Sequence, residues 1–209
     1  MTPIQVSGTE GYAEDAEMLL ERYESIPSAD VHRPVQHLMP KVPCRVLDIG
    51  SGTGRDAAWF AAMGHRVVAV EPTDELRISA RTLHPSSLIE WLDDSLPDLS
   101  FLTTRGETFD VVMLTGVWMH LDERQRRQAM PKLASLMRGD GVMIMTIRHG
   151  PVPSTRRMFD VSVEETIRLA QAQCLHPVLN LRTESIQEGN RLAGVSRTSL
   201  AFVKAGERA

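Results

Sequence analysis

Little cysteine, no basic surplus and no long apolar run set the first limits on this chain. Cys44 and Cys174 are its two thiols. They lack metal-type spacing and stand on apolar segments, so buried thiols and a cytoplasmic setting are expected. The seven histidines are scattered without a pattern such as H-x-x-x-H, and no metal is expected. No basic-then-apolar leader is read at the N-terminus, and no apolar stretch is long enough to cross a bilayer. Repeats and low-complexity segments are missing too. A formal charge of −4 argues against a nucleic-acid protein in the usual basic sense. The distribution is less even than the total: residues 148–209 carry nine Lys+Arg against six Asp+Glu, a net of +3, which leaves −7 on residues 1–147. What remains is ordinary globular material, 42% hydrophobic and 24% charged over 209 residues. That suits one domain, 1–209, with a substantial core.

The most informative stretch is residues 44–57. It reads as a short apolar strand carrying Asp48 near its end, then glycines at every second position, Gly50, Gly52 and Gly54, then a helix start. Glycines there remove Cβ atoms that would hold a ligand away from the backbone, and they permit a tight strand-to-helix turn. The helix start adds unpaired N–H groups, a seat for polar ligand groups. A dinucleotide fingerprint, G-x-G-x-x-G/A, is matched formally from Gly52 to Ala57, so a nicotinamide cofactor stays open on the loop alone. Two features oppose it. Asp48 would repel a pyrophosphate, and the register from Gly50 puts Arg55 where a small residue belongs. An acid followed by G-x-G-x-G suits a ligand with an amino group and no phosphate, such as S-adenosylmethionine (SAM).

The chain resembles the class I SAM-dependent methyltransferases from this loop onward. Residues 66–71 form a second strand ending in Glu71, 17 residues after Gly54, where a carboxylate can accept from both ribose hydroxyls. Residues 88–97 are similar to the family's third strand and acid-then-Leu-Pro loop, where an acid contacts the adenine amino group. Asp93 and Asp94 compete for that role, and Asp93 is preferred as the first after the strand. Residues 109–121 look like the fourth strand and its turn against the methionine moiety, and residues 137–146 like the turn and fifth strand. The resemblance, strong because these pieces come in order across 44–147, implies SAM as cofactor. It places Asp48, Gly50, Ser51, Gly52, Gly54, Glu71, Pro72, Asp93, Asp94, Ser95, Thr115, Gly116 and Val117 around it. The competing reading of Glu71 and Asp93 is that acids after strands cap the next helix.

Hydrophobic spacing supplies the rest of the order. Apolar positions Ala13, Ala16, Leu19, Leu20 and Tyr23 predict a helix over 9–25, and a second short one over 31–39 stopped by Pro40; together, 1–40 is read as a helical cap. Strands are expected near 44–49, 66–71, 87–92, 108–114 and 141–147, with helices after the first four, hence a mostly parallel sheet. Pro131 should kink or split the helix over 123–137. Ser162 to Glu165 reads as a capping box opening a helix to about 174, and two further strands fall near 177–184 and 197–204. The resemblance implies a Rossmann-like α/β fold of seven strands, the last antiparallel and inserted between the fifth and sixth.

Methyl transfer from a sulfonium needs positioning and water exclusion more than a protein nucleophile. A general base matters only if the acceptor must lose a proton. His120 and His149, after the fourth and fifth strands, are the candidate catalytic residues; the competing role for each is packing. The loop 148–161 is long enough to act as a lid. Arg148, Arg156 and Arg157 within it could clamp an acceptor carboxylate or phosphate, and Asn190 and Arg191 could reach the same mouth. A solvated basic loop is the competing reading. The expected partner is a small-molecule acceptor, with nucleic acid and membrane disfavoured and the oligomeric state open. RNA or protein methylation is the runner-up; an NAD(P) oxidoreductase and a non-catalytic SAM-binding protein are the alternatives from other classes.

Overall fold

The computed structural model describes residues 6–206. Seven short segments become strands: β1 (Arg45–Ile49), β2 (Arg66–Val70), β3 (Ile89–Leu92), β4 (Phe109–Thr115), β5 (Met137–His149), β6 (Leu175–Glu184) and β7 (Ser196–Lys204). The helices are α1 (Ala16–Glu24), α2 (Ser28–Val31), α3 (Arg55–Ala62), α4 (Asp74–Leu83), α5 (Ser100–Thr104), α6 (Glu123–Leu136), α7 (Val163–Gln171) and α8 (Glu188–Leu192), with 3-10 turns at Gln36–Leu38 and Trp118–His120. The strands form one sheet in the order β3-β2-β1-β4-β5-β7-β6. The first five are parallel, and β7 runs antiparallel between β5 and β6. This is the Rossmann-like topology that the resemblance implied.

The central strands read as continuous apolar runs because both of their faces are covered. Alternate residues go to opposite sides. Leu47, Ile49, Val68, Val70, Val112 and Leu114 meet Leu102, Met130 and Leu133 of α5 and α6 on one face. Val46, Val67, Ala69, Val111 and Met113 meet Ala57 and Phe60 of α3 on the other. Burying these side chains is the main stabilising term of the sheet, at roughly 1.5–3 kcal/mol each.

Several expectations need correcting. Residues 10–15 form turns, and α1 starts only at Ala16. The helix expected over 31–39 is instead the end of α2 and a separate 3-10 turn; Pro34 disfavours a helical Arg33 and brings no N–H, which breaks the run. Pro131 does not split α6. It removes one helical bond on an exposed side, where water can take the freed carbonyl. Ser162 does cap α7, accepting the Glu165 N–H at 3.2 Å, but the Glu165 carboxylate pairs with Arg126 at 2.9 Å instead of returning. The reciprocal box belongs to α6, between Asp122 and Gln125. Cys44 is only half-buried and Cys174 is exposed, against the expectation of two buried thiols. Because β5 continues to His149, Arg148 and His149 belong to the sheet rather than to the following loop.

The turn from β1 into α3 is packed from below. Gly54 has φ +81°, and a Cβ there would lie 2.4 Å from the Trp91 ring of β3. Gly54→Ala should therefore destabilise the fold by about 2 kcal/mol or more, from positive-φ strain plus overpacking. Gly52→Ala, with φ +57° and open space beyond it, should cost only the backbone strain of about 1 kcal/mol. Urea unfolding of both variants checks the difference, and equal losses would contradict it.

Candidate functional site

A cavity of about 390 Å³ opens over the C-terminal ends of β1, β2, β4 and β5, the side on which ligands bind in open α/β sheets. Its floor is the glycine-rich turn. Gly50 and Ser51 donate their N–H groups to Val70 O at 2.8 and 3.0 Å, tying the turn to β2. A Cβ on Gly50 would strike Val117 at 2.5 Å, whereas Gly52 and Gly116 face open space. Gly54 does not line the cavity; it is needed for packing on Trp91. One glycine of the three, Gly52, thus opens the turn to a ligand.

Three acids are buried at this end. Glu71 accepts the Gly52 N–H at 2.9 Å and the Thr73 N–H at 2.8 Å. Burial pushes its carboxyl above the usual range, and those bonds oppose the shift. Asp56 receives His32 Nε2 at 2.7 Å, Ser28 Oγ at 2.8 Å and Arg55 Nε at 3.0 Å. Burial alone would raise it, but His32 and then Arg55 hold it well below the ordinary carboxylate range. Asp48 is 1% exposed, and its Oδ2 meets no hydrogen-bond partner among the described residues. Burial, then Asp56, pushes its carboxyl well up. The hydroxyls of Ser51 and Thr115, also on the cavity wall, are orphaned in the same way. Native proteins rarely leave such atoms unpaired unless a ligand or water meets them.

The other expected cofactor residues divide. Pro72, Asp94, Ser95, Thr115, Gly116 and Val117 line the cavity, and Gly116 N–H donates to Thr146 Oγ1 at 2.9 Å. Asp93 does not. Its side chain is 68% exposed and sits 3.4 Å from Arg77, which leaves Asp94 as the acid of the pair on the cavity wall. Asp94 accepts the Ser95 and Leu102 N–H groups at 2.9 and 2.8 Å, which fixes the loop after β3.

His120 is buried on the cavity wall. Its Nδ1 contacts Arg157 O at 2.8 Å; a carbonyl only accepts, so Nδ1 carries the proton and Nε2 accepts the Tyr12 O–H at 3.0 Å. Burial lowers its basicity further. His149 sits elsewhere. It alternates with cavity-facing Arg148 along β5, bonds Thr198 at 2.8 Å and lies outside the lining. Arg157 is engaged by Ser7, Asp122, Gln125 and His120 O. Arg156 reaches the cavity but pairs with Asp15 at 2.7 Å, over the Tyr12 ring. Arg148 lines the cavity and meets no carboxylate among the described residues. Asn190, in α8, lines the wall, whereas Arg191 turns back to Ser185 O and Ile186 O. Sequence reasoning missed Tyr12, Arg22, Tyr23, Arg55 and Arg197, all on the wall.

Residues 46–141 match a family model described as a methyltransferase domain. An uncharacterized methyltransferase of Bacillus pumilus is 29% identical over 136 residues, 64% of this chain and 57% of the relative. The chain spans about half the length of the curated relatives it matches. A TehB-like SAM-dependent methyltransferase from Corynebacterium glutamicum has a similar structure, with a TM-score of 0.65 at 18% identity, covering 91% of this chain and 98% of that one. The 1,6-didemethyltoxoflavin-N1-methyltransferase of Burkholderia thailandensis, solved with its substrate and S-adenosylhomocysteine, superposes at a TM-score of 0.63 and 21% identity, covering 98% and 93%. Among the described residues, no helix is long and apolar enough to cross a membrane.

The pairing of Asp56 has a pH signature. A carboxyl depressed on folding stabilises above its unfolded value of about 3.9, and that contribution is lost as pH falls through the folded value. Asp56→Asn should cost about 3 kcal/mol at pH 7, change little down to about pH 5, and cost progressively less below about pH 4. Urea unfolding across that range tests it; a deficit that stays constant into acid would contradict the assignment.

Proposed function

We propose that the chain is a class I SAM-dependent methyltransferase that transfers the methyl group of SAM to a small-molecule acceptor in the cytoplasm, a reading supported by the match of residues 46–141 to a methyltransferase-domain model and by the fold shared with solved methyltransferases. The observation that carries this reading is the buried, unpartnered Oδ2 of Asp48 beside the orphaned Ser51 and Thr115 hydroxyls. A ligand ammonium would complete Asp48. Glu71 would exchange the Gly52 N–H for ribose hydroxyls, and the loop of Asp94, Ser95 and Leu96 would border the adenine. When bound, SAM would supply an electrophilic methyl group for an acceptor lone pair, with S-adenosylhomocysteine as the leaving group and any displaced proton passing to solvent or a base.

The chain's own residues then bind, orient and exclude water. The cover has two parts, held to each other by Arg156–Asp15 and Arg157–Ser7: the N-terminal segment 6–15 and the loop after β5. Tyr12 is aimed from this cover by His120, whose Nε2 fixes the phenol proton. For an acceptor that must lose a proton, Tyr12 and neutral His120 form the nearest polar route away from it. A cavity of this size suits a small acceptor, as in the toxoflavin methyltransferase. The −7 charge of residues 1–147 makes a long polyanion a poorer fit.

Two outcomes are expected in calorimetry. Glu71→Ala should weaken SAM binding by about 1–3 kcal/mol, the scale of lost charge-assisted hydrogen bonds; tight NADH binding without SAM binding would refute the reading. Near and below the raised folded value of Asp48, SAM binding should also release protons, because an ammonium favours the carboxylate. The binding enthalpy should accordingly vary with buffer ionisation enthalpy in the wild type and not in Asp48→Asn. A buffer-independent wild-type enthalpy across the acidic to neutral range would remove Asp48 from the role.

A further inference from the structure

Five arginines line the cavity, and they fall into two groups. Arg55 and Arg156 have acids, Asp56 at 2.9 Å and Asp15 at 2.7 Å. Arg22, Arg148 and Arg197 meet no carboxylate among the described residues. Arg22 donates to the side-chain oxygens of Gln187 and Asn190. Arg148 reaches only Gly150 O, at 3.4 Å. Arg197 makes no side-chain hydrogen bond among the described residues, although it is half-buried.

Their placement is not accidental to the topology. Arg148 and Arg197 are register partners on antiparallel β5 and β7, so both side chains leave the same face of the sheet. Like charges directly opposite in a sheet are destabilising, and Arg22 of α1 adds a third. Burial, then Arg22, pulls the Arg148 guanidinium down; burial does the same to Arg197, with Arg55, Arg148 and Arg22 adding to it. All three still carry their charge. Two half-buried cations, Arg148 and Arg197, with the exposed Arg22 beside them, are completed by an oxyanion, which relieves the repulsion and fills free guanidinium donors.

We propose that Arg22, Arg148 and Arg197 form the seat for a carboxylate or phosphate of the methyl acceptor. The seat differs from the clamp read in the sequence, sharing only Arg148 with it. The anion is held there and not methylated, because guanidinium donors engage its lone pairs; the atom that receives the methyl is another on the same molecule. Tyr23, Met18 and Ile186, on the wall beside Arg22, offer the apolar surface for the acceptor's body. This inference rests on the methyltransferase reading, which assigns the acid end of the cavity to SAM.

The test uses the full chain saturated with S-adenosylhomocysteine and three probes: benzoate, inorganic phosphate and neutral benzamide, titrated by calorimetry. At least one oxyanion should bind roughly tenfold or more tighter than benzamide, the scale of one or two charge-assisted hydrogen bonds. A benzoate preference points to a carboxylate acceptor and a phosphate preference to a phosphorylated one. Arg22→Gln and Arg148→Gln should each reduce oxyanion binding several-fold, leaving S-adenosylhomocysteine affinity unchanged. Arg197→Gln stands in β7, so it is compared with Arg197→Lys, which keeps the charge and should retain part of the binding. If neither oxyanion binds, if benzamide binds as well as benzoate, or if a folded Arg22→Gln/Arg148→Gln variant binds like the wild type, the seat is wrong. Loss of S-adenosylhomocysteine binding in the unaltered chain would instead refute the methyltransferase reading itself.

Discussion

The burial of Asp48, Asp56 and Glu71 around the turn from β1 into α3 is the constraint on which the rest depends. Three carboxylates taken out of water repel one another and cost several kcal/mol each unless they are met. Asp56 is met by His32 and Arg55, which fastens α2 to the start of α3. Glu71 is met by backbone N–H groups of the turn it faces. Asp48 is left with one oxygen bare. Two of the acids hold the turn in shape, and the third gives the turn something to hold.

Charge is divided along the cavity. The acids lie at the ends of β1 and β2, while the unpaired arginines come from α1, β5 and β7. A cationic cofactor at one end and an anionic acceptor at the other would each complete a charge the fold leaves open. Between them stands Tyr12, carried by the N-terminal segment and oriented by His120. The same segment is tied to the loop after β5 through Asp15 and Arg156, so water exclusion and placement of the phenol come from a single joint cover.

Much of this was legible in the sequence, for physical reasons. Parallel strands covered on both faces read as apolar runs, and alternating glycines between a strand and a helix have few other uses, so β1 to β5 and the Gly52 turn were found. Side chains just past a strand end were harder, because a one-residue step reverses the face. Asp93 against Asp94, and His149 against Arg148, were decided by that parity. Arg156 and Arg157 looked free because Asp15 and Asp122, which bind them, lie far away in the chain. Arg22 and Arg197 drew no notice for the converse reason: nothing local marks an arginine as lacking an acid.

A crystal structure of the full chain grown with S-adenosylhomocysteine tests the central claim most directly. The account predicts the ligand's ammonium on Asp48 Oδ2 and its ribose hydroxyls on Glu71, with Gly52 N–H released from that carboxylate. The cavity wall at Arg22, Arg148 and Arg197 should stay clear of the ligand. A ligand seated elsewhere, or one that leaves Asp48 Oδ2 bare, would contradict it.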